Sequence, residues 1–191
     1  MPLPVAIGLA LCLAIAIWAI VDFNALVALR NRAEASWSDI DVQLKRRHDL
    51  VGNLVEAVKG YARHESATLE QVTQLRARAT ATRAGDVGGA REAESALGGG
   101  IRGLLAVAEA YPDLKADTGF RQLHEALVTL EGDLQNARRY YNAVVRDLNT
   151  KVQSFPDLFV ARAGGFRERE FFELENATEA LVPRVDLGGS A

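Results

Sequence analysis

The sequence predicts an all-α protein: a long antiparallel helical bundle, with three long helices plus short C-terminal helical turns, on an N-terminal transmembrane helix. Three observations carry that prediction. Apolar side chains recur in steps of three and four along most of the chain, and period-2 alternation fits nowhere. Residues 3–21 hold no charged or strongly polar side chain. Beyond Pro4 the chain holds proline only at 112, 156 and 183, so the helices between these positions and the glycine-rich turn at 83–89 are long. With 191 residues, 25% of them charged, and a net charge of −3, the chain has room for one elongated domain. We divide it into an anchor (1–22), a helical bundle (23–175) and a flexible tail (176–191).

The anchor comes first. Residues 3–21 rise ~1.5 Å each, just enough to cross a hydrocarbon core roughly 30 Å thick. Pro4 is tolerated in a first helical turn, and Trp18 suits the downstream interface. A cleaved signal peptide is the competing reading, with Ala14-Ile15-Ala16 as its cleavage site. It is disfavoured because no Lys or Arg precedes the apolar run and residues 17–21 extend that run past the site. Arg30 and Arg32 follow the anchor and no cation precedes it. The positive-inside rule then places the N-terminus outside and the helical domain in the cytoplasm.

The next stretch, residues 23–79, organises the rest. Leu26, Leu29, Ala33, Trp37, Ile40, Leu44, Val51, Val55, Val58, Ala62, Leu69 and Val72 form one stripe, with whole turns carried by polar Arg47, His48 and Glu65. No proline interrupts it, so it predicts one continuous helix, roughly 80–90 Å long. Leu29, Ile40, Val51 and Ala62 repeat at eleven residues, as do Ala33, Leu44 and Val55. That spacing predicts a nearly straight rod.

Residues 83–89 (RAGDVGG) read as a turn. A second helix over 90–110 carries Ala93, Leu97, Ile101, Leu104 and Ala108, with Gly98, Gly99 and Gly100 inside it. Either this helix is locally weak or a neighbouring backbone comes close there. Tyr111-Pro112-Asp113 ends it, and Asp117 or Thr118 caps a third helix. Phe120, Leu123, Leu127, Leu130, Leu134, Ala137, Tyr141, Val144, Leu148, Val152 and Phe155 keep the three-four alternation nearly unbroken. This helix is expected to run back antiparallel along the first. After Ser154-Phe155-Pro156 come short helical turns, Gly164-Gly165, and Phe171-Phe172, which we place at the bundle end nearest the membrane.

Chemistry-bearing motifs are sparse. No HExxH, CxxC or Gly-x-Ser-x-Gly occurs, and the single Cys12 excludes an intrachain disulfide. The glycines at 98–100 follow no strand and precede no Lys-Ser/Thr, so they are not a phosphate loop. Lys45, Arg46 and Arg47 point different ways on a helix and read as solvated or salt-bridged; nucleic acid is not expected as a partner. His64, Glu109 and His124 are the one trio that antiparallel packing could bring to a divalent metal. We read them instead as hydrogen-bonding or surface groups, and expect no metal or other cofactor. Asn24, Arg47, Asn53, Arg76, Arg138, Tyr141, Asn142 and Asn149 lie near the packed stripes, where unsatisfied polar groups would penalise a slipped register. A binding groove built from them is the alternative.

Residues 31–65 (NRAEASWSDIDVQLKRRHDLVGNLVEAVKGYARHE) resemble the signature of the LemA family. So do residues 109–116 (EAYPDLKA), Arg138 with Tyr141-Asn142, and the stretch from Asn149 to Phe155-Pro156. The resemblance spans about 24–172. It departs from the family pattern at Gly52, where a proline is common, and at Phe23, where tyrosine is frequent. It implies a single-span protein of the bacterial envelope with a long helical bundle; no enzymatic activity is established for the family, and with no convergent catalytic constellation in the sequence we expect none. The function we expect is a membrane-anchored scaffold, in the inner (cytoplasmic) membrane, that self-associates or organises other membrane-associated proteins. The alternative is a membrane-tethered ligand- or metal-binding sensor. The expected partners are the lipid bilayer through residues 3–21 and a second copy or other membrane proteins.

Overall fold

A computed structural model describes residues 2–62, 64–83 and 85–173. Six helices follow in order: α1 (Leu3–Tyr61), α2 (Ser66–Thr80), α3 (Val87–Glu109), α4 (Pro112–Ala116), α5 (Thr118–Gln153) and α6 (Asp157–Ala163). No β-strand occurs among the described residues.

The 59 residues of α1 form one unbroken helix, roughly 90 Å long at the standard rise. Its first part is the uncharged segment, long and apolar enough to cross a membrane and not buried by any other part of the protein. From Asp22 onward the same helix becomes the axis of the bundle. The single rod expected over 23–79 is therefore not observed: the helix that begins in the apolar segment stops at Tyr61, and the rest of that stretch folds back as α2. The chain reverses through residues 62–65, where Glu65 N–H bonds Ala62 O at 3.1 Å. The apolar rhythm hides this reversal because both arms of the hairpin bury the same face: Val58 and Ala62 before it, Leu69 and Val72 after it.

Three segments then pack on α1. Helix α2 returns along it, bringing Thr80 beside His48. Helix α3 turns back again and pairs with α2, with Arg78 bonded to Glu92 at 2.6 Å. Helix α5, capped at Asp117 by a 2.8 Å bond from Phe120 N–H, descends antiparallel along the part of α1 beyond the apolar segment, as far as Asp22. Its register is marked by Arg47 against Glu131, Trp37 against Tyr141 and Asp22 against Lys151. A β-carbon on Gly100 would lie 2.9 Å from Leu75 Cδ1 and 3.4 Å from Val72 Cγ2. The glycine-rich part of α3 is thus a close approach to α2 rather than a break.

Two cores result. The anchor-distal one joins α1, α2, α3, α4 and α5 through Val51, Val58, Val72, Leu97, Leu104 and Leu114. The anchor-proximal one is built on α1 and α5, with α6 and residues 166–172, through Leu26, Ile40, Leu134, Leu148, Ala161 and Phe172. Phe172 packs edge-on against Trp37 at 5.2 Å, while Phe166 meets Phe23 at 5.5 Å. Phe166, and not Phe171-Phe172, is thus the aromatic of this segment at the end next to the anchor. An extended segment advances roughly 3.3 Å per residue, so six residues carry Phe172 well up the bundle. The tail expected over 176–191 lies outside the described residues.

Candidate functional site

Charged side chains are seldom buried without partners, and α1 buries two of them in successive positions, Arg47 and His48. Both turn to Glu94 of α3, which is 2% exposed. Arg47 Nη1 donates to Glu94 Oε2 at 2.7 Å, and His48 Nε2 donates to Oε1 at 2.5 Å. Arg47 Nε lies 2.7 Å from Glu131 Oε1 on α5. One arginine thereby ties three helices together. The α2 hairpin completes the arrangement: Arg76 Nε donates to the backbone carbonyl of His48 at 2.6 Å, and Thr80 Oγ1 lies 3.4 Å from His48 Nδ1. The guanidinium of Arg76 lies against Gly52, where a β-carbon would come within 3.0 Å of Cζ. The departure from the family's proline at this position thus leaves α1 uninterrupted and gives Arg76 its seat.

Beside this network, α3 and α5 leave a cleft of about 260 Å³ with Arg47 and Glu94 in its wall. Arg102, His124, Glu131 and Arg138 line the rest of its polar surface, and Ile101, Leu105 and Leu127 its apolar side. Its charge is mixed, with three guanidinium groups facing two carboxylates. It suits a small anionic or zwitterionic group better than a cation.

A second polar set lies nearer the anchor. Asn142 and Asn149, two turns apart on α5, treat residues 166–173 as though they were a neighbouring strand. Asn149 donates to Arg169 O and accepts from Arg169 N–H, both at 2.9 Å. Asn142 does the same with Phe172, at 3.2 and 2.9 Å. Seven helical residues and three extended ones both span about 10 Å, which is why the two spacings match. Tyr141 adds a 3.0 Å bond from its hydroxyl to Glu170 O. Burial pushes the Tyr141 phenol above its ordinary value, with Arg169 opposing the shift and Glu170 adding to it.

The sequence-selected residues therefore divide. Arg47, Arg76, Tyr141, Asn142 and Asn149 hold helices or the C-terminal segment in place, and Arg138 lines the cleft. Asn24 and Asn53 are exposed instead, so neither sets a register. In the basic run, Lys45 pairs with Asp41 at 2.6 Å on the surface, while Arg47 is buried. His124 stacks on Phe120 with ring centroids 6.4 Å apart, and His64 sits exposed in the α1–α2 turn. The described residues contain no group of His, Cys, Asp and Glu arranged to hold a metal, the trio of His64, Glu109 and His124 included. Sequence reading missed Glu94. The available signal was a carboxylate amid the apolar series Ala90, Ala93, Leu97 and Ile101, matched by polar residues at 47 and 48 on the stripe of α1.

Comparison with known proteins extends this picture. A sequence model of the LemA family matches residues 36–187. That range contains the whole Arg47–Glu94–Glu131 network and both asparagine clamps, and begins beyond the apolar segment. Magnetosome protein MamQ 1 of Paramagnetospirillum magneticum and magnetosome protein MamQ of Magnetospirillum gryphiswaldense are each 23% identical over 192 residues, covering 87% of this chain and 71% of their own. Protein LemA of Metamycoplasma hominis is 29% identical over 133 residues, 69% of this chain and 60% of that protein. With most of its bundle inside the family match, and the fold that the resemblance implied, the chain belongs to the LemA family.

Proposed function

We propose that the protein is a non-enzymatic, membrane-anchored scaffold whose rod self-associates or organises other membrane-associated proteins. The observation that carries this reading is the continuity of α1: one helix provides both the bare apolar segment and the axis of the bundle. Confinement to a bilayer raises the effective concentration of such rods, so weak lateral contacts become productive. Val42, Val128 and Tyr140 are exposed apolar side chains on α1 and α5 beyond the anchor, and offer such contacts. Relatives named for a structure, the magnetosome, favour an organising role over a catalytic one. Arg30 and Arg32 favour an inner-membrane orientation with the bundle in the cytoplasm.

Photocrosslinkers at Val42, Val128 and Tyr140 of the membrane-embedded full chain test the scaffold. The expected result is a homo-oligomeric or hetero-oligomeric adduct at one or more positions. Adducts to lipid and water alone, with a strict monomer in mild detergent, would count against it. A C-terminal reporter active only outside the cytoplasm would overturn the orientation.

The cleft between α3 and α5 supports a second reading, a tethered sensor of a small anionic molecule. At about 260 Å³ it falls just below the usual ligand-pocket range of roughly 300–1,000 Å³, which places this reading behind the scaffold. A rise in melting temperature with a small anion, abolished by Arg102→Ala, would reverse the order.

A further inference from the structure

We propose that α6 and the turn before it make a second, interfacial contact with the bilayer, seating Phe155 and Phe159 at the boundary between acyl chains and headgroups. The inference rests on reading residues 3–21 as a membrane anchor. Its depth is set by α1. Ala19, Ile20 and Phe23 form one wall of an apolar groove of about 450 Å³, and Phe159, Val160 and Ala163 form the other. Ala19 and Ile20 belong to the uncharged segment, just ahead of Asp22, the first charged residue of the chain. Helix α6 is therefore held level with the last turn of the anchor.

Its orientation is fixed as well. Ala161 is fully buried in the anchor-proximal core, and Phe166 N–H returns to Ala161 O at 2.9 Å. Asp157 is held by Lys151 at 2.9 Å, and Lys151 in turn pairs with Asp22. With that face docked, the opposite one presents Phe155 and Phe159, 78% and 60% exposed, in edge-to-face contact at 5.9 Å. Two such rings beside the emerging anchor form an apolar wedge at the level where aromatic side chains partition to the interface. Arg162 lies three residues beyond Phe159, so the two share a side of the short helix. Arg162 and Arg167 are exposed and have no ion-pair partner among the described residues. Their long stems can carry the guanidinium groups to lipid phosphates while the rings stay below. The groove between α6 and α1 opens beside the lipid-facing helix, and an acyl chain is the occupant its apolar lining fits.

The test uses full-length protein in nanodiscs of phosphatidylcholine with a minor share of phosphatidylglycerol. Single spin labels are placed on a Cys12→Ala background at Phe155→Cys, Phe159→Cys, Leu13→Cys and the exposed Ala126→Cys. The expected result is preferential collision with oxygen at 13, 155 and 159, and with a water-soluble nickel chelate at 126. Chelate access at 155 and 159 equal to that at 126, with 13 still lipid-exposed, overturns the interfacial contact and leaves the anchor standing. Chelate access at 13 overturns both. Spin–spin broadening at 155 or 159 would show a second copy covering the rings, and would also overturn the proposal.

Discussion

Removing Glu94 would leave His48 without its carboxylate and Arg47 with Glu131 alone, where water scarcely reaches. Breaking a buried ion pair from one side costs about 3–5 kcal/mol, whereas replacing the whole set with apolar groups of similar volume is often neutral. Glu94→Ala is therefore expected to lower stability by that amount in full-length protein unfolded in mild detergent. The triple change Arg47→Met, His48→Leu, Glu94→Leu should recover most of it. If the single and the triple variant melt alike, the network is not the tie between α1 and α3 that its geometry indicates. Lys151 gives a residue-level dependence on pH. Partial burial disfavours its charge, but the hydrogen bonds it donates to Asp22 and Asp157, with their negative charges, outweigh that and raise its pKa above 10.5. Stability from this triad is complete below pH 10.5 and is lost as pH climbs through the higher folded value. Tyr141, raised above 10.0 chiefly by burial, acts in the same direction. The near-ultraviolet dichroism of Trp37 and Tyr141 should hold to about pH 10 and decline above it, and Lys151→Arg should move the decline upward. At this scale the sequence is only half readable. Arg47 and His48 stand out on an apolar stripe, but their partner lies 46–47 residues away and is delivered only by the double reversal through α2.

Each helix answers to its own local chemistry. Helix α5 was legible almost residue by residue, because Phe120, Leu127, Leu134, Tyr141 and Leu148 face a single long partner and the periodicity has one cause. The reversal after Tyr61 was not legible, since neither apolar spacing nor a proline marks it and Ala62 is buried either way. The segment 166–173 has no periodicity of its own; asparagines on another element define its conformation. Asn149→Ala should remove both bonds to Arg169, cost about 1–3 kcal/mol locally, and speed hydrogen exchange at the Arg169 amide far more than at Val58. Exchange unchanged at Arg169 would mean that the aromatic contacts alone hold the segment. Glycines divide by surroundings. A β-carbon at Gly103 or Gly132 meets nothing within 4 Å, so Gly103→Ala and Gly132→Ala should each stabilise by about 1 kcal/mol. Gly100→Ile should instead push α2 away from α3, and a melting temperature raised by that change would contradict the close approach described above.

Across the whole molecule, two cores share α1 and α5 but little else, so they are expected to open separately. A stop codon after residue 164 should deprotect amides around Leu26 and Leu148 while those around Val58 and Leu104 keep their protection. Uniform loss would show that the cores are one cooperative unit. Mechanical consequences follow from the unbroken α1. About forty of its residues continue past the apolar segment, a lever arm of roughly 60 Å. Bilayers accommodate a spanning helix by tilting it as their thickness changes, and α1 has no hinge at the exit to absorb the angle. A tilt of about 10° would sweep the far tip sideways by roughly 10 Å, turning a change in lipid composition into a displacement at the α1–α2 hairpin.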